Sequence, residues 1–174
     1  MSKRKKMLLL IDSVVLLLLV FLDQISKYLA VKYLKDKPAV PIIKDVFELN
    51  YLENRGAAFG VLQNQKICFL ILGVIILFAV VFVLFRVPDD KKYNILHVLL
   101  ILIASGGIGN MIDRIRFGYV VDFFSFVLIN FPIFNVADIC VTVSMFGLSV
   151  LILFVYKDED LNFLIWNRKE VSGK

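Results

Sequence analysis

Residues 106–138 read GGIGNMIDRIRFGYVVDFFSFVLINFPIFNVAD, setting Asn110, Asp113, Arg114, Asp122, Asn135 and Asp138 among glycines and bulky apolar side chains. Carboxylates in poorly hydrated surroundings are costly, and within a membrane protein they mark a working site by default. Gly106, Asn110 and Asp113 recur at i, i+4 and i+7, which lays a narrow small-and-polar stripe along one helix face. Asn135 and Asp138, at i and i+3, share a face in what reads as the first turn of a further helix. Asp122 lies between β-branched and aromatic residues that favour extended chain. If Asp122 folds against that first turn, the two carboxylates cannot both ionise cheaply and would share one proton. Such a pair can activate water through one carboxylate and polarise a carbonyl through the other. That is amide hydrolysis with neither a metal nor a nucleophilic side chain.

The elements that must position these groups are membrane spans. Hydrophobic residues make up 60% of the 174 positions and mean hydropathy is +0.84, far from an ordinary soluble domain. Apolar runs predict four transmembrane helices at about 7–33, 67–86, 93–112 and 133–156, forming a single membrane-embedded domain over 1–174. Pro132 suits the start of the fourth. Between the first two spans, Pro38 and Pro41 close a helix, and alternation over 46–52, with Phe47, Leu49 and Tyr51 on one face, predicts a strand. The strand runs into the small-residue loop NRGAAFG, which reads either as a tight turn or as a place where a peptide backbone approaches and bonds to Asn54. An even number of spans puts both termini on one side. The basic cluster at 3–6 beside the first span, which reads as uncleaved, places that side in the cytoplasm and the charged cluster outside.

Other ionisable residues read more blandly. Asp23 and Lys27 are one turn apart and predict an ion pair at the outer end of the first span, either structural or solvated at the interface. Adjacent helical residues point about 100° apart, which disfavours a Ser26/Lys27 dyad. Asp12 is expected to reach headgroups or favour the positive helix N-terminus, His97 shows no partner, and Cys68 and Cys140 read as small core residues, neither metal ligands nor a disulfide. No metal motif is present. The net charge of +5 is that of basic loops flanking spans, and no nucleic-acid-binding pattern accompanies it.

Five blocks in order, DQISK at 23–27, NRGAAFG at 54–60, GNMIDR at 109–114, VVDF at 120–123 and FNVAD at 134–138, resemble the lipoprotein signal peptidases, or signal peptidase II, bacterial membrane aspartic proteases. The resemblance implies that Asp122 and Asp138 are the catalytic pair. It implies that Asn54, Gly56, Asn110, Arg114 and Asn135 bind substrate backbone or orient the pair, with Asp23, Lys27 and Asp113 in support. The implied fold is an all-α four-helix membrane bundle with a small extracytoplasmic β-cradle and a short amphipathic helix, the last fitting 57–66. The implied partners are a diacylglyceryl-modified prolipoprotein, cut just before its lipidated cysteine, and membrane lipid. No cofactor, metal or nucleic acid is expected, and the chain is expected to act as a monomer. The rival readings are a small proton-coupled transporter and a non-catalytic scaffold. Against transport, the carboxylates gather at one membrane face and the halves show no repeat.

Overall fold

A computed structural model describes residues 1–56 and 63–165. The chain runs α1 (Lys3–Leu34), β1 (Val40–Ile43), β2 (Phe47–Asn54), α2 (Lys66–Arg86), α3 (Asn94–Phe117), β3 (Val120–Phe126) and α4 (Val136–Val150), the last continued by a π-helical turn, Leu151–Val155. Short 3-10 turns precede α3 at Lys91–Tyr93, follow β3 at Val127–Ile129 and close the described chain at Asp158–Leu164. Lys3–Leu34, Lys66–Arg86, Lys91–Phe117 and Val136–Val155 are long and apolar enough to cross a membrane. Their outward faces are apolar, as Leu17, Phe78 and Phe146 illustrate, which suits lipid rather than water. The architecture is therefore mostly helical rather than all-α, because a three-stranded antiparallel sheet of order β1-β2-β3 joins the helices at one end.

Helix α3 is the buried one and packs against α1, α2 and α4. At the end where α2 leads into α3, Val80, Leu84, Val87, Leu96, Leu99 and Leu100 lie in the apolar core. At the sheet end, Val121 and Phe123 pack on Ala30 and Leu34 of α1. Two glycines of α3 permit close approach. A Cβ on Gly106 would meet the Ala137 carbonyl oxygen, and one on Gly109 would meet the Asp23 carboxylate, both far inside contact distance.

The boundaries that differ from the sequence reading are those set by caps. Helix α3 does not stop at 112 but continues to Phe117. It ends where Gly118 takes φ +82° and donates its N–H to the Arg114 carbonyl at 3.1 Å. Asp113, read from its spacing as part of the helix face, lies inside the helix together with Arg114. Pro132 does not open α4; it lies in the irregular segment that leads to a bridge between Phe134 and Phe124. Asn135 is the N-cap instead, with Asp138 completing a capping box. The strand read at 46–52 runs to Asn54 and gains partners on both sides. Of the expected amphipathic helix at 57–66, residues 57–62 lie outside the described residues.

Candidate active site

The strand-to-strand register determines which side chains meet. Strand β2 pairs Leu49 with Phe124 but Leu52 with Asp122, so an irregularity at 50–51 inserts one extra residue. Because side chains alternate, that insertion turns Leu52 and Asn54 onto the face that carries Val120 and Asp122. Asn54 is then a diagonal neighbour of Asp122, and its Nδ2 donates to Asp122 Oδ2 at 2.9 Å. The opposite face of β3 buries Val121 and Phe123 in the core, which aims Asp122 towards α4.

On α4, the Asn135 side chain accepts from Asp138 N at 3.0 Å, and Asp138 Oδ2 accepts from Asn135 N at 3.1 Å. The same Asn135 donates through Nδ2 to Asp122 Oδ1 at 2.6 Å and to Asn110 Oδ1 at 3.2 Å. Asn110 in turn donates through its own Nδ2 to Asp138 Oδ1 at 2.8 Å. Thus Asn135 and Asn110 form a chain of amides linking Asp122 to Asp138, and Asn54 holds Asp122 from β2. Asp122 is 1% exposed. Burial, and after it the charge of Asp138, pushes its carboxyl up to about 7, against the opposing donors Asn54 and Asn135.

A second polar layer lies behind this one. Lys27 reaches Asp23 at 3.0 Å and Asp113 at 3.2 Å, and donates to Asn110 Oδ1 at 2.9 Å. All three ionic side chains are at most 3% exposed, so the Asp23–Lys27 pair is a buried structural element and not a solvated one. The two carboxylates have a shared geometry. Asp113 Oδ2 accepts from Val121 N and Asp23 Oδ1 from Ala137 N, both at 3.0 Å. Val121 immediately precedes Asp122, and Ala137 immediately precedes Asp138. One lysine therefore holds two carboxylates, each of which pins the backbone just before one member of the acid pair.

Asp122 and Asp138 open onto a cavity of about 530 Å³, also lined by Asn54, Gly56, Asn110 and Arg114, and walled by apolar residues such as Phe131, Ile133, Ile139 and Val143. Arg114 stacks on Phe69 at 4.4 Å and donates to the Gly56 carbonyl at 3.0 Å. Gly56 N donates to Asn54 Oδ1 at 2.9 Å, which fixes the amide whose other end holds Asp122. Asn54, Gly56, Asn110, Arg114, Asn135 and both aspartates thus meet in one place, while Asp23, Lys27 and Asp113 lie one layer behind. Sequence reasoning passed over Gln24, whose Nε2 reaches both Asp23 and Asp113 at 3.1 Å. It stands inside the DQISK block, and its polarity beside the ion pair was the available signal. Among the described residues, no group of three or more His, Cys, Asp or Glu side chains is arranged to hold a metal.

Two polar residues depart from expectation at the opposite end of the bundle. Asp12 does not reach towards headgroups, and His97 does have a partner: His97 Nδ1 and Asp12 Oδ2 are 2.7 Å apart, both side chains buried. Cys68 is exposed rather than a core residue, while Cys140 is buried.

Fold and site together define a polytopic membrane protein with an acid pair set at one end of its helix bundle, facing an apolar cavity. Comparison with known proteins narrows this. A family model described as Signal peptidase (SPase) II matches residues 15–154. The lipoprotein signal peptidase of Caldanaerobacter subterraneus is 44% identical over 142 residues, covering 81% of this chain and 94% of that one. That of Streptococcus thermophilus is 47% identical over 147 residues, 84% of this chain and 93% of its own. A solved structure described as a bacterial membrane enzyme superposes with a TM-score of 0.74 at 31% identity, over 82% of this chain and 87% of the other. The chain belongs to the signal peptidase II family, and it is a multi-pass bacterial membrane protein. Nothing in these comparisons supports the transporter reading.

Proposed function

We propose that this chain is a membrane aspartic endopeptidase that removes the signal peptide from diacylglyceryl-modified prolipoproteins, cutting just before the lipidated cysteine. Proteolysis of lipoprotein signal peptides follows from the family and its relatives. The aspartic mechanism rests on one observation: Asp122 and Asp138 border the same cavity and are tied to each other through Asn135 and Asn110. One carboxylate takes a proton from water as that water attacks the scissile carbonyl. The partner, holding the shared proton, donates to the carbonyl oxygen, and collapse of the tetrahedral adduct passes a proton to the departing amide nitrogen. Asn54 and Asn135 orient Asp122, and Asn110 and the capping box orient Asp138. Arg114 and Gly56 border the substrate path, and Asp23, Lys27 and Asp113 keep the dyad's backbone in place.

In this reading residues 1–174 form one peptidase domain that works as a monomer, with both termini cytoplasmic and the sheet as a cradle on the outer face. The basic residues at 3–6 support that orientation. The apolar cavity wall suits an acylated substrate entering sideways from the bilayer.

The test is cleavage of a diacylglyceryl-modified prolipoprotein and its unmodified form by purified protein in lipid, with wild type and Asp138→Asn. A size shift only for wild type acting on the lipidated form is expected. Substantial turnover by folded Asp138→Asn would refute the dyad.

A further inference from the structure

Every serine hydroxyl within the spans satisfies itself, and the hydroxyl of Thr142 does not. Ser13, Ser26, Ser105, Ser144 and Ser149 each donate to a carbonyl three or four residues earlier in their own helix, the usual resolution for a hydroxyl in lipid. Thr142 on α4, the only threonine in the chain, makes no hydrogen bond among the described residues. It is exposed, and it lines the cavity shared by Asp122 and Asp138. Beyond Asp138 along α4, the lining residues are Ile139, Val141, Thr142 and Val143, so Thr142 supplies the one polar side chain there.

A peptide bond must leave its helix to be cut, and inside lipid the backbone groups it frees lack water to bond to. Those groups need partners from the enzyme. Thr142 lies four residues, hence about 6 Å, past Asp138 towards the membrane interior. Extended chain rises about 3.3 Å per residue. The hydroxyl therefore stands level with the backbone about two residues before the scissile bond.

We propose that the Thr142 hydroxyl is a substrate-binding group, hydrogen-bonding the extended backbone of the signal segment about two residues ahead of the cut. This rests on the peptidase reading. The residue contacts backbone, so it selects for an unwound segment rather than for a particular side chain, while the neighbouring Ile139 and Val143 meet the apolar side chains.

The experiment compares wild type, Thr142→Val, Thr142→Ser and Asp138→Asn in steady-state cleavage of a lipidated prolipoprotein, with thermal unfolding measured alongside. Valine keeps the shape and removes one neutral hydrogen bond, so kcat/KM should fall about three- to tenfold, chiefly through KM. Serine should restore most of it, and the unfolding midpoint of the valine variant should match wild type, because no internal bond is lost. Wild-type kcat/KM in Thr142→Val, beside an inactive Asp138→Asn, would overturn the assignment and leave the peptidase standing. A lowered unfolding midpoint in Thr142→Val would overturn it too, by showing the hydroxyl to be structural. No cleavage by folded wild type would overturn the peptidase reading itself.

Discussion

Replacing Lys27 by methionine tests whether the layer behind the dyad holds it together. The substitution keeps the side chain's length and deletes its charge. Asp23 and Asp113, at most 2% exposed, would be left facing one another across the space where the ammonium stood 3.0 and 3.2 Å from each. Breaking a buried pair by removing one partner costs about 3–5 kcal/mol. For a chain of this size, each kcal/mol lowers the unfolding midpoint by about 2–4 °C, so a fall of about 6–20 °C is expected. The catalytic loss should exceed what instability explains, because three bonds are affected at once. Asn110 loses one of the two donors to its Oδ1, and Asp23 and Asp113 lose the charge that holds them on the Ala137 and Val121 amides. Misplacement by about 1 Å can cost about a hundredfold in rate. The assay pairs thermal unfolding in detergent with cleavage of the lipidated substrate at a temperature where the variant is folded. Lys35→Met serves as the reference, since Lys35 pairs with Glu53 at 2.9 Å but is 39% exposed, and such surface pairs contribute little to stability. A Lys27→Met protein that unfolds with wild type and cleaves at the wild-type rate would refute the two-layer account.

Two further outcomes are expected. On the proposed mechanism Asp122, raised to about 7 by burial and by Asp138, supplies the shared proton, and kcat should then fall about tenfold per pH unit above about 7. The stability sign follows the same shift: an unfolded carboxyl ionises first as pH rises from about 4, so this group favours the folded state at low pH and loses that contribution as pH climbs towards 7. Asp122→Asn should flatten that part of the unfolding-versus-pH curve, and a wild-type rate constant unchanged from pH 6 to 9 would contradict the assignment. At the other end of the bundle, Asp12→Ala leaves His97 buried without its partner, which should cost about 1–3 kcal/mol in thermal unfolding. Cleavage at a permissive temperature should stay at the wild-type level, because the pair lies at the end of α3 far from Asn110; a matching loss of kcat would tie the two ends together.

What the sequence disclosed depended on the range of the interaction. The spans were legible because each is a local run of apolar residues, and Asn135 with Asp138 because residues three apart in a helix turn share a face, although the cap they form was not read. That Asp122 and Asp138 could meet was legible from two isolated carboxylates in apolar context. The bulge at 50–51 was not, since a strand's alternation gives no sign of an extra residue that only pairing with β3 reveals. The Asp12–His97 pair was missed for the same reason: the partners are 85 positions apart, and neither has a neighbour that announces the other. Sequence spacing placed Lys27 beside Asp23, but only packing of α1 on α3 brings Asp113 to the other side of the ammonium.

Why the cluster is tolerated explains what is left for catalysis. Among the described residues, no buried side-chain nitrogen or oxygen lacks a hydrogen-bond partner. Each polar group placed within the bundle therefore has its desolvation offset by a neighbour, which is the condition for holding such groups away from water. A carboxylate, however, can accept more bonds than one per oxygen. Asp122 and Asp138 each receive one donor on each oxygen, from Asn54 and Asn135 and from Asn110 and the Asn135 backbone, and both border the cavity. Their remaining lone pairs are the free capacity of the network, where one carboxylate can accept from water and the other can hold the proton it donates to a carbonyl oxygen. By contrast, Asp23 and Asp113 have that capacity taken by Lys27, Gln24 and the two backbone amides. Four aspartates of the same chemistry are thus divided by their neighbours into two that hold backbone and two that remain open to a substrate.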